Sequence, residues 1–460
     1  MDQPAGRSLH LPLTAAQCEI WIAQELNPQS TDFRIGDYIE IVGFVDSSLI
    51  ESATRQVVSE AESIRARFTR SDGNVYQYVE DVSDWIFHVV DLTASPDPAA
   101  GASQWISKEI GRPMLPENGR LFNFALLKLQ SDRFIWYHSY HHIVIDGTGF
   151  SLVARRVAEI YNARVAGVEP PNHGFGSLRE LVSEDEAYHA SESYASDRAY
   201  WVERLTDMPE AVRFVGTTEG AGRPVIRWTK SITAAGTNTL KILSDQCGSH
   251  YPALLITATA ILLHRTTGEQ DIVLGLPVPA RFSAKMKRTP GMVANVVPLR
   301  ILVRPGSSIA ELVNTVGREI GEAVWHQRYR GENIARDLRL KGGLDDLFGV
   351  IVNFVGFDYG FDFSGHEISV HNVSVGRVDD VAFVIHNGSD SSGTRIDLLA
   401  SGHMHDEQTT NGHLERFMRL VQALASGIGP DVRVGAIDLL GETERQLVLK
   451  AWNDTAVPMR

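Results

Sequence analysis

Cysteine is scarce in this chain. Two residues, Cys18 and Cys247, stand far apart among 460 and form no CxxC pair. Neither a disulfide framework nor a cysteine-based metal site is expected, and a reducing cytoplasm fits. Positive charge is also short: 43 Lys and Arg face 57 Asp and Glu, for a net charge of −14. Bulk electrostatics therefore oppose binding to nucleic acid or to an anionic membrane surface, a local basic patch aside. No apolar run approaches the roughly 20 residues that cross a bilayer. The longest candidate, Ala253–Leu263, reads as a buried core helix. The first residues, Met1-Asp-Gln-Pro-Ala-Gly6, lack the charged and apolar regions of a secretory leader. A cytoplasmic protein without membrane contact is expected. Nucleotide-binding loops are missing as well: there is no GxxxxGK followed by Ser or Thr, and no GxGxxG opens a helix after a strand. Repeats and low-complexity tracts are absent.

What is present is a soluble composition, 43% hydrophobic and 22% charged, in a chain long enough for two or three domains. Thr14 suits the N-cap of a helix over 15–26. Residues 38–44 alternate as a strand, and 47–60 place Ile50, Ala53, Val57 and Val58 on one helical face. Ser71-Asp-Gly-Asn74 reads as a hairpin turn, and Phe122–Leu129 and Arg133–Ile145 as strands around Ser131-Asp132. A helix over 151–166 follows, broken by the Gly- and Pro-rich stretch 167–176, which is the best candidate for a domain boundary. Later segments read as helices over 251–266, 308–328 and 412–425, and as strands over 271–277, 293–303 and 350–355. Helices and strands mix without strict alternation, which indicates an α+β fold of mixed sandwiches and not a doubly wound nucleotide fold.

The chemically richest stretch is Phe134-Ile-Trp-Tyr-His138-Ser-Tyr-His141-His142-Ile-Val-Ile-Asp146-Gly147-Thr-Gly149. Its aromatic and β-branched residues read as a strand, on which neighbouring side chains face opposite sides. One of the two histidines can then present an imidazole while the other packs behind it. Imidazole is the side chain best suited to moving protons near neutral pH. The ordinary alternative is a satisfied core histidine, which a pair before an Asp-Gly turn makes less apt. His138, His142 and Asp146 would stack as metal ligands on a helix, but the strand pattern opposes this and no metal site is expected. Asp146 is placed to hold the loop through an ion pair.

This motif, HHxxxDG, resembles the signature of nonribosomal peptide synthetase condensation domains, relatives of chloramphenicol acetyltransferase. Further stretches match in order. Leu11–Trp21 is similar to S-x-A-Q-x-R-x-W, with Glu19 at the arginine position. Glu62–Phe68 is similar to HExLRxxF, with Ala61 in place of the histidine. Asp197–Trp201, Gly291–Arg300 around Asn295, His326–Tyr329 and Phe348–Asn353 resemble later motifs, and Ala451–Pro458 resembles the linker to an adenylation domain. His326–Tyr329 with Asp358-Tyr359 looks closest to enterobactin-type siderophore synthetases, which join an aryl-acid or aminoacyl donor to an amino acid.

The resemblance implies two chloramphenicol-acetyltransferase-like α/β sandwich subdomains in a V-shaped pseudo-dimer: an N-terminal one over 1–176, a C-terminal one over 177–450, and a linker over 451–460. It implies a tunnel whose centre holds the motif, and an amide-forming acyltransferase. Donor and acceptor peptidyl carrier proteins would deliver thioesters on 4'-phosphopantetheine arms. The chain itself would bind no cofactor and would work as a monomer beside an adenylation domain. Catalysis would fall to His142 as general base or positioning group, within a motif that includes His141, Asp146 and Gly147. Asp146 would pair with Arg281, or failing that Arg67. Gly147 and Gly149 would admit the thioester or simply form a strand-to-helix turn. Asn295 would line the tunnel or tie backbone together. Gly174-Phe-Gly-Ser177-Leu178 only faintly resembles a carrier's phosphopantetheine serine, so the arm is expected from partners. Alternatives within the fold are ester formation, cyclisation, epimerisation or a non-catalytic docking module. His141 opposes cyclisation, whose members carry aspartate there, and the intact His142 opposes the docking module.

Overall fold

The computed structural model describes residues 10–214, 225–355, 362–387, 393–427, 429–441, 445–447 and 450. Asp358-Tyr359 and the linker-like 451–458 lie outside them. In chain order the elements are β1 (Leu11–Pro12), α1 (Ala15–Leu26), β2 (Arg34–Val42), α2 (Ser47–Glu60), β3 (Ala66–Ser71), β4 (Asn74–Val79), β5 (His88–Asp91), α3 (Pro98–Ile110), β6 (Phe122–Gln130), β7 (Arg133–His141), α4 (Gly147–Val165), α5 (Leu178–His189) and α6 (Glu192–Leu205). There follow β8 (Ile226–Ile232), α7 (Ala234–Gln246), α8 (Tyr251–Thr267), β9 (Asp271–Val278), α9 (Ala284–Lys287), β10 (Asn295–Leu302), α10 (Ile309–Trp325), α11 (Gly331–Asp337), α12 (Leu344–Leu347), β11 (Val350–Val355), β12 (Glu367–Val375), β13 (Val381–Asn387), β14 (Thr394–Ala400) and α13 (Glu407–Ala425).

These fall into two compact units, each discontinuous in sequence. The first comprises 1–195, 279–295 and 357–377; the second comprises 196–278, 296–356 and 378–460. The Gly/Pro stretch 167–176 ends α4 but does not end the first unit, as the sequence had suggested. Helix α5 beyond it stays attached, because Leu178, Leu181 and Val182 are buried. The Leu178 N–H also donates to Glu62 Oε2 at 2.8 Å, and Asp185 Oδ2 accepts from the Ala15 N–H at 3.0 Å. Sequence composition marks a flexible joint but not which side's apolar surface the next helix buries.

The first unit is built on a five-stranded sheet, β12-β2-β7-β6-β5, beside a small sheet β1-β4-β3. Strand β7 explains its own composition. Phe134, Trp136 and Tyr140 alternate into the cluster that holds Val153, Val157 and Ile160 of α4, while Ile135 and Tyr137 face the cluster with Ala102 and Ile106 of α3. A strand buried on both faces needs apolar residues on both. Its outer edge is β12, which pairs antiparallel with β2 from Glu367↔Val42 to Val375↔Ile35. This partner more than 300 residues away left no local signal.

The second unit carries a six-stranded mixed sheet, β10-β9-β11-β13-β14-β8. Helices α8 and α13 pack on it. Residues Ala253–Leu263 of α8 are buried all round, as a run that is apolar but for Thr257 and Thr259 predicts. No helix among the described residues is long and apolar enough to cross a membrane.

Candidate active site

The loop between β7 and α4 carries the paired histidines. Strand β7 ends at His141, not at Ile145 as the apolar run suggested. The His141 N–H still donates to Leu121 O at 3.0 Å, and the His142 N–H to Phe33 O at 2.7 Å. The chain then turns: the Val144 N–H donates to His141 O at 3.1 Å and the Ile145 N–H to His142 O at 3.3 Å. Ile143, Val144 and Ile145 have no exposed surface. Burial in a turn and burial in a strand select the same apolar residues, so the sequence could not separate them.

Asp146 closes the loop. Its Oδ1 accepts from the Gly149 N–H at 2.9 Å and so caps α4. Its Oδ2 accepts from Arg281 Nη1 at 2.5 Å and from the N–H groups of Val293 and Ala294, both at 2.9 Å. Arg281 also donates from Nε to Met286 O and from Nη2 to Thr289 O and Gly291 O. Burial alone would push the Asp146 carboxyl up. The charge and hydrogen bond of Arg281, with the Gly149 and Val293 amides, more than offset this and hold it below the usual carboxylate range. The expected partner Arg281 is therefore the one the structure joins to Asp146. Arg67 instead donates to Glu80 Oε2 at 2.7 Å and to Gly119 O.

The two imidazoles have different surroundings. His141 is 1% exposed. Its Nε2 lies 3.1 Å from Gln24 Oε1, and its Nδ1 accepts from the Ile143 N–H at 3.1 Å. Burial, then the charges of His142 and Arg34, push it down to about 3. With both nitrogens engaged it supports the loop. His142 keeps solvent-accessible surface, though protein surrounds it deeply enough that desolvation lowers its pKa, with Asp146 and backbone groups of His142 and Ile145 opposing. It is thus neutral at pH 7. Its Nδ1 is buried without a hydrogen-bond partner.

Gly149 is needed for packing: a Cβ there would lie 2.7 Å from Ile145 Cγ1 and 3.0 Å from Gly291 N. Gly147 opens α4, half-buried. Asn295 is 3% exposed at the start of β10. His138 is in the core, stacked on Trp136 at 4.4 Å and packed on Phe150 at 4.2 Å. The sequence reading gave three neighbours no role at the site. Gly376, after β12, has φ +92°, and a Cβ there would lie 3.6 Å from His142 Cδ2. Gln17 and Gln24, seven apart on α1 and both buried, reach the loop: Gln17 Nε2 donates to Ile143 O at 3.2 Å. Two polar residues on the apolar face of a helix were the available signal.

The chain is similar to several known proteins. The profile of the Condensation domain family matches residues 8–449. A dimodular nonribosomal peptide synthase of Bacillus subtilis (strain 168) is 37% identical over 98% of this chain and 19% of its own length. Enterobactin synthase component F of Escherichia coli (strain K12) is 28% identical over 94% of this chain and 34% of its own. The chain thus spans about a fifth to a third of the length of these relatives. The solved starter condensation domain of rhizomide synthetase superposes with a TM-score of 0.87 at 34% identity, covering 94% of this chain and 98% of that one. By motif, fold and sequence, this chain belongs to the condensation domains of nonribosomal peptide synthetases, acyltransferases that form amide bonds.

Proposed function

We propose that this chain acts as a starter-type condensation domain, joining a donor acyl thioester to the amine of an acceptor aminoacyl thioester. Both would arrive on 4'-phosphopantetheine arms of carrier proteins, with an adenylation domain as neighbour. The observation that carries the reading is His142: a neutral imidazole with accessible surface, set on a loop that Asp146 and Arg281 lock from behind. The starter assignment is supported by the rhizomide synthetase structures, described as a starter domain in complex with C8-CoA and, in one variant, Leu-SNAC.

In this reading the acceptor nitrogen attacks the donor carbonyl. The C–N bond forms, the C–S bond breaks, and the thiolate leaves on the donor arm. Nε2 of His142 takes the proton of the attacking amine or holds the amine by a hydrogen bond. General-base assistance contributes about 10²–10⁴-fold, and holding two tethered substrates together supplies much of the rest. Gly147 and Gly149 keep the backbone beside the ring compact, and His141 and Asp146 support it.

The test is to mix the chain with a donor carrier bearing an aliphatic acyl, aryl acyl or aminoacyl group and an acceptor carrier bearing an amino acid or, in a parallel arm, a hydroxy acid. Intact mass of the acceptor should rise by the acyl group for the first or second donor. A gain only with an alcohol acceptor, or an epimerised donor without transfer, would replace this function with that of an ester-forming or epimerising relative. Transfer only from the aminoacyl donor would remove the starter assignment.

A further inference from the structure

Helix α1 holds the histidine loop by an amide whose orientation is not free. Gln24 is 5% exposed, and its Nε2 faces three carbonyls: Asn27 O at 3.0 Å, Pro28 O at 3.1 Å and Ser30 O at 3.3 Å. Only an NH₂ group can face three acceptors, so the amide cannot flip and Oε1 must point at His141. An acceptor 3.1 Å from His141 Nε2 requires a proton on that nitrogen. In the neutral ring Nδ1 is then a bare acceptor, and it takes the Ile143 N–H at 3.1 Å. From the other side Gln17 Nε2 grips Ile143 O at 3.2 Å. Both backbone polar groups of the residue next to His142 are thus held by side chains that depend on α1.

We propose that Gln24 is a positioning residue for the condensation reaction: by accepting from His141 Nε2 it selects the tautomer whose Nδ1 holds the Ile143 amide, and so fixes the backbone that presents His142. The groups that act electrostatically on His141 are Arg34 on β2 and His142 itself; Phe33 lies beside the ring at 6.2 Å between centroids. Neither charge can replace Gln24, because Arg34 is a donor with no acceptor to offer. Only the kinetic arm of the test rests on the amide-forming function proposed above.

The full chain is labelled with ¹⁵N-histidine, and the His141 ring signals are assigned by their loss in His141→Asn. Long-range ¹H–¹⁵N correlation should show His141 protonated on Nε2 alone in the wild type. It should show a mixture of tautomers in Gln24→Leu. With loaded carriers, kcat of Gln24→Leu should fall about 10–100-fold, the scale of a small misplacement of a reacting group, with KM nearly unchanged. A folded Gln24→Leu with wild-type kcat, or with His141 still wholly protonated on Nε2, overturns the proposal. Gln24→Met, which fills similar space without offering an oxygen acceptor to His141, gives a second arm. It should show the same mixture of tautomers and a similar loss of kcat, and a folded Gln24→Met with wild-type kcat overturns the proposal too. A wild-type chain that makes no amide defeats the functional reading and leaves the tautomer measurement standing.

Discussion

Asp146 and Arg281 are joined at 2.5 Å although 135 positions separate them, and their side chains are 0% and 2% exposed. The contact fastens the histidine loop to the segment 286–294, because the same carboxylate takes the Val293 and Ala294 amides while the same guanidinium takes the carbonyls of Met286, Thr289 and Gly291. Removing one partner leaves a buried charge and typically costs about 3–5 kcal/mol. Asp146→Ala should therefore lower the denaturation midpoint strongly. Replacing both residues by apolar ones should recover part of the loss, as measured by urea unfolding. Unaltered stability in Asp146→Ala would show that the pair does not hold the loop.

His142→Ala removes a half-buried imidazole whose Nδ1 has no hydrogen-bond partner. Thermal stability should stay close to that of the wild type, while amide formation falls by about 10²–10⁴-fold if the ring acts as a general base. Because burial lowers the His142 pKa, its basic form persists below pH 6.5. The acid limb of the wild-type pH–rate profile should accordingly lie below 6.5. A limb centred above 6.5 would assign it to another group.

Acid should weaken the fold before the carboxylates titrate. His138 and His141 are both pushed down by burial to about 3, against 6.5 unfolded. Between these values the unfolded chain binds protons that the folded chain refuses. Stability is therefore full above about 6.5 and falls as pH drops toward 3, by about 1.4 kcal/mol per pH unit for each ring over the central range. His138→Phe keeps the ring stack on Trp136 and should remove one proton from the slope of unfolding free energy against pH between 4 and 6. An unchanged slope would mean that His138 titrates normally.

Gly376→Ala places a methyl group 3.6 Å from His142 Cδ2 and 3.2 Å from Asp32 O at a φ of +92°, where L residues are strained. A stability loss of about 1–2 kcal/mol is expected from the backbone alone. Turnover should fall further than that loss explains, read as kcat under conditions where the variant is folded. Wild-type turnover would show that the ring tolerates displacement.

The sequence by itself determined the local elements and the chemistry. Helix α1 begins where Thr14 caps it, with Gln17 completing a capping box; β11 spans the residues its pattern marked; and the hairpin turns at Asp72-Gly73. Each rests on interactions within a few residues. The histidine motif was legible for the same reason, since its spacing is local, and Arg281 was found through its place in a known pattern. Only tertiary structure decided the rest. It ended β7 at His141, because buried turns and buried strands use the same residues. It joined α5 to the first unit and laid β12 against β2, because hydrogen-bonding edges and apolar faces find partners across any length of chain. It also separated His141 from His142, identical side chains at adjacent positions, by giving one ring two hydrogen-bond partners and leaving the other exposed surface.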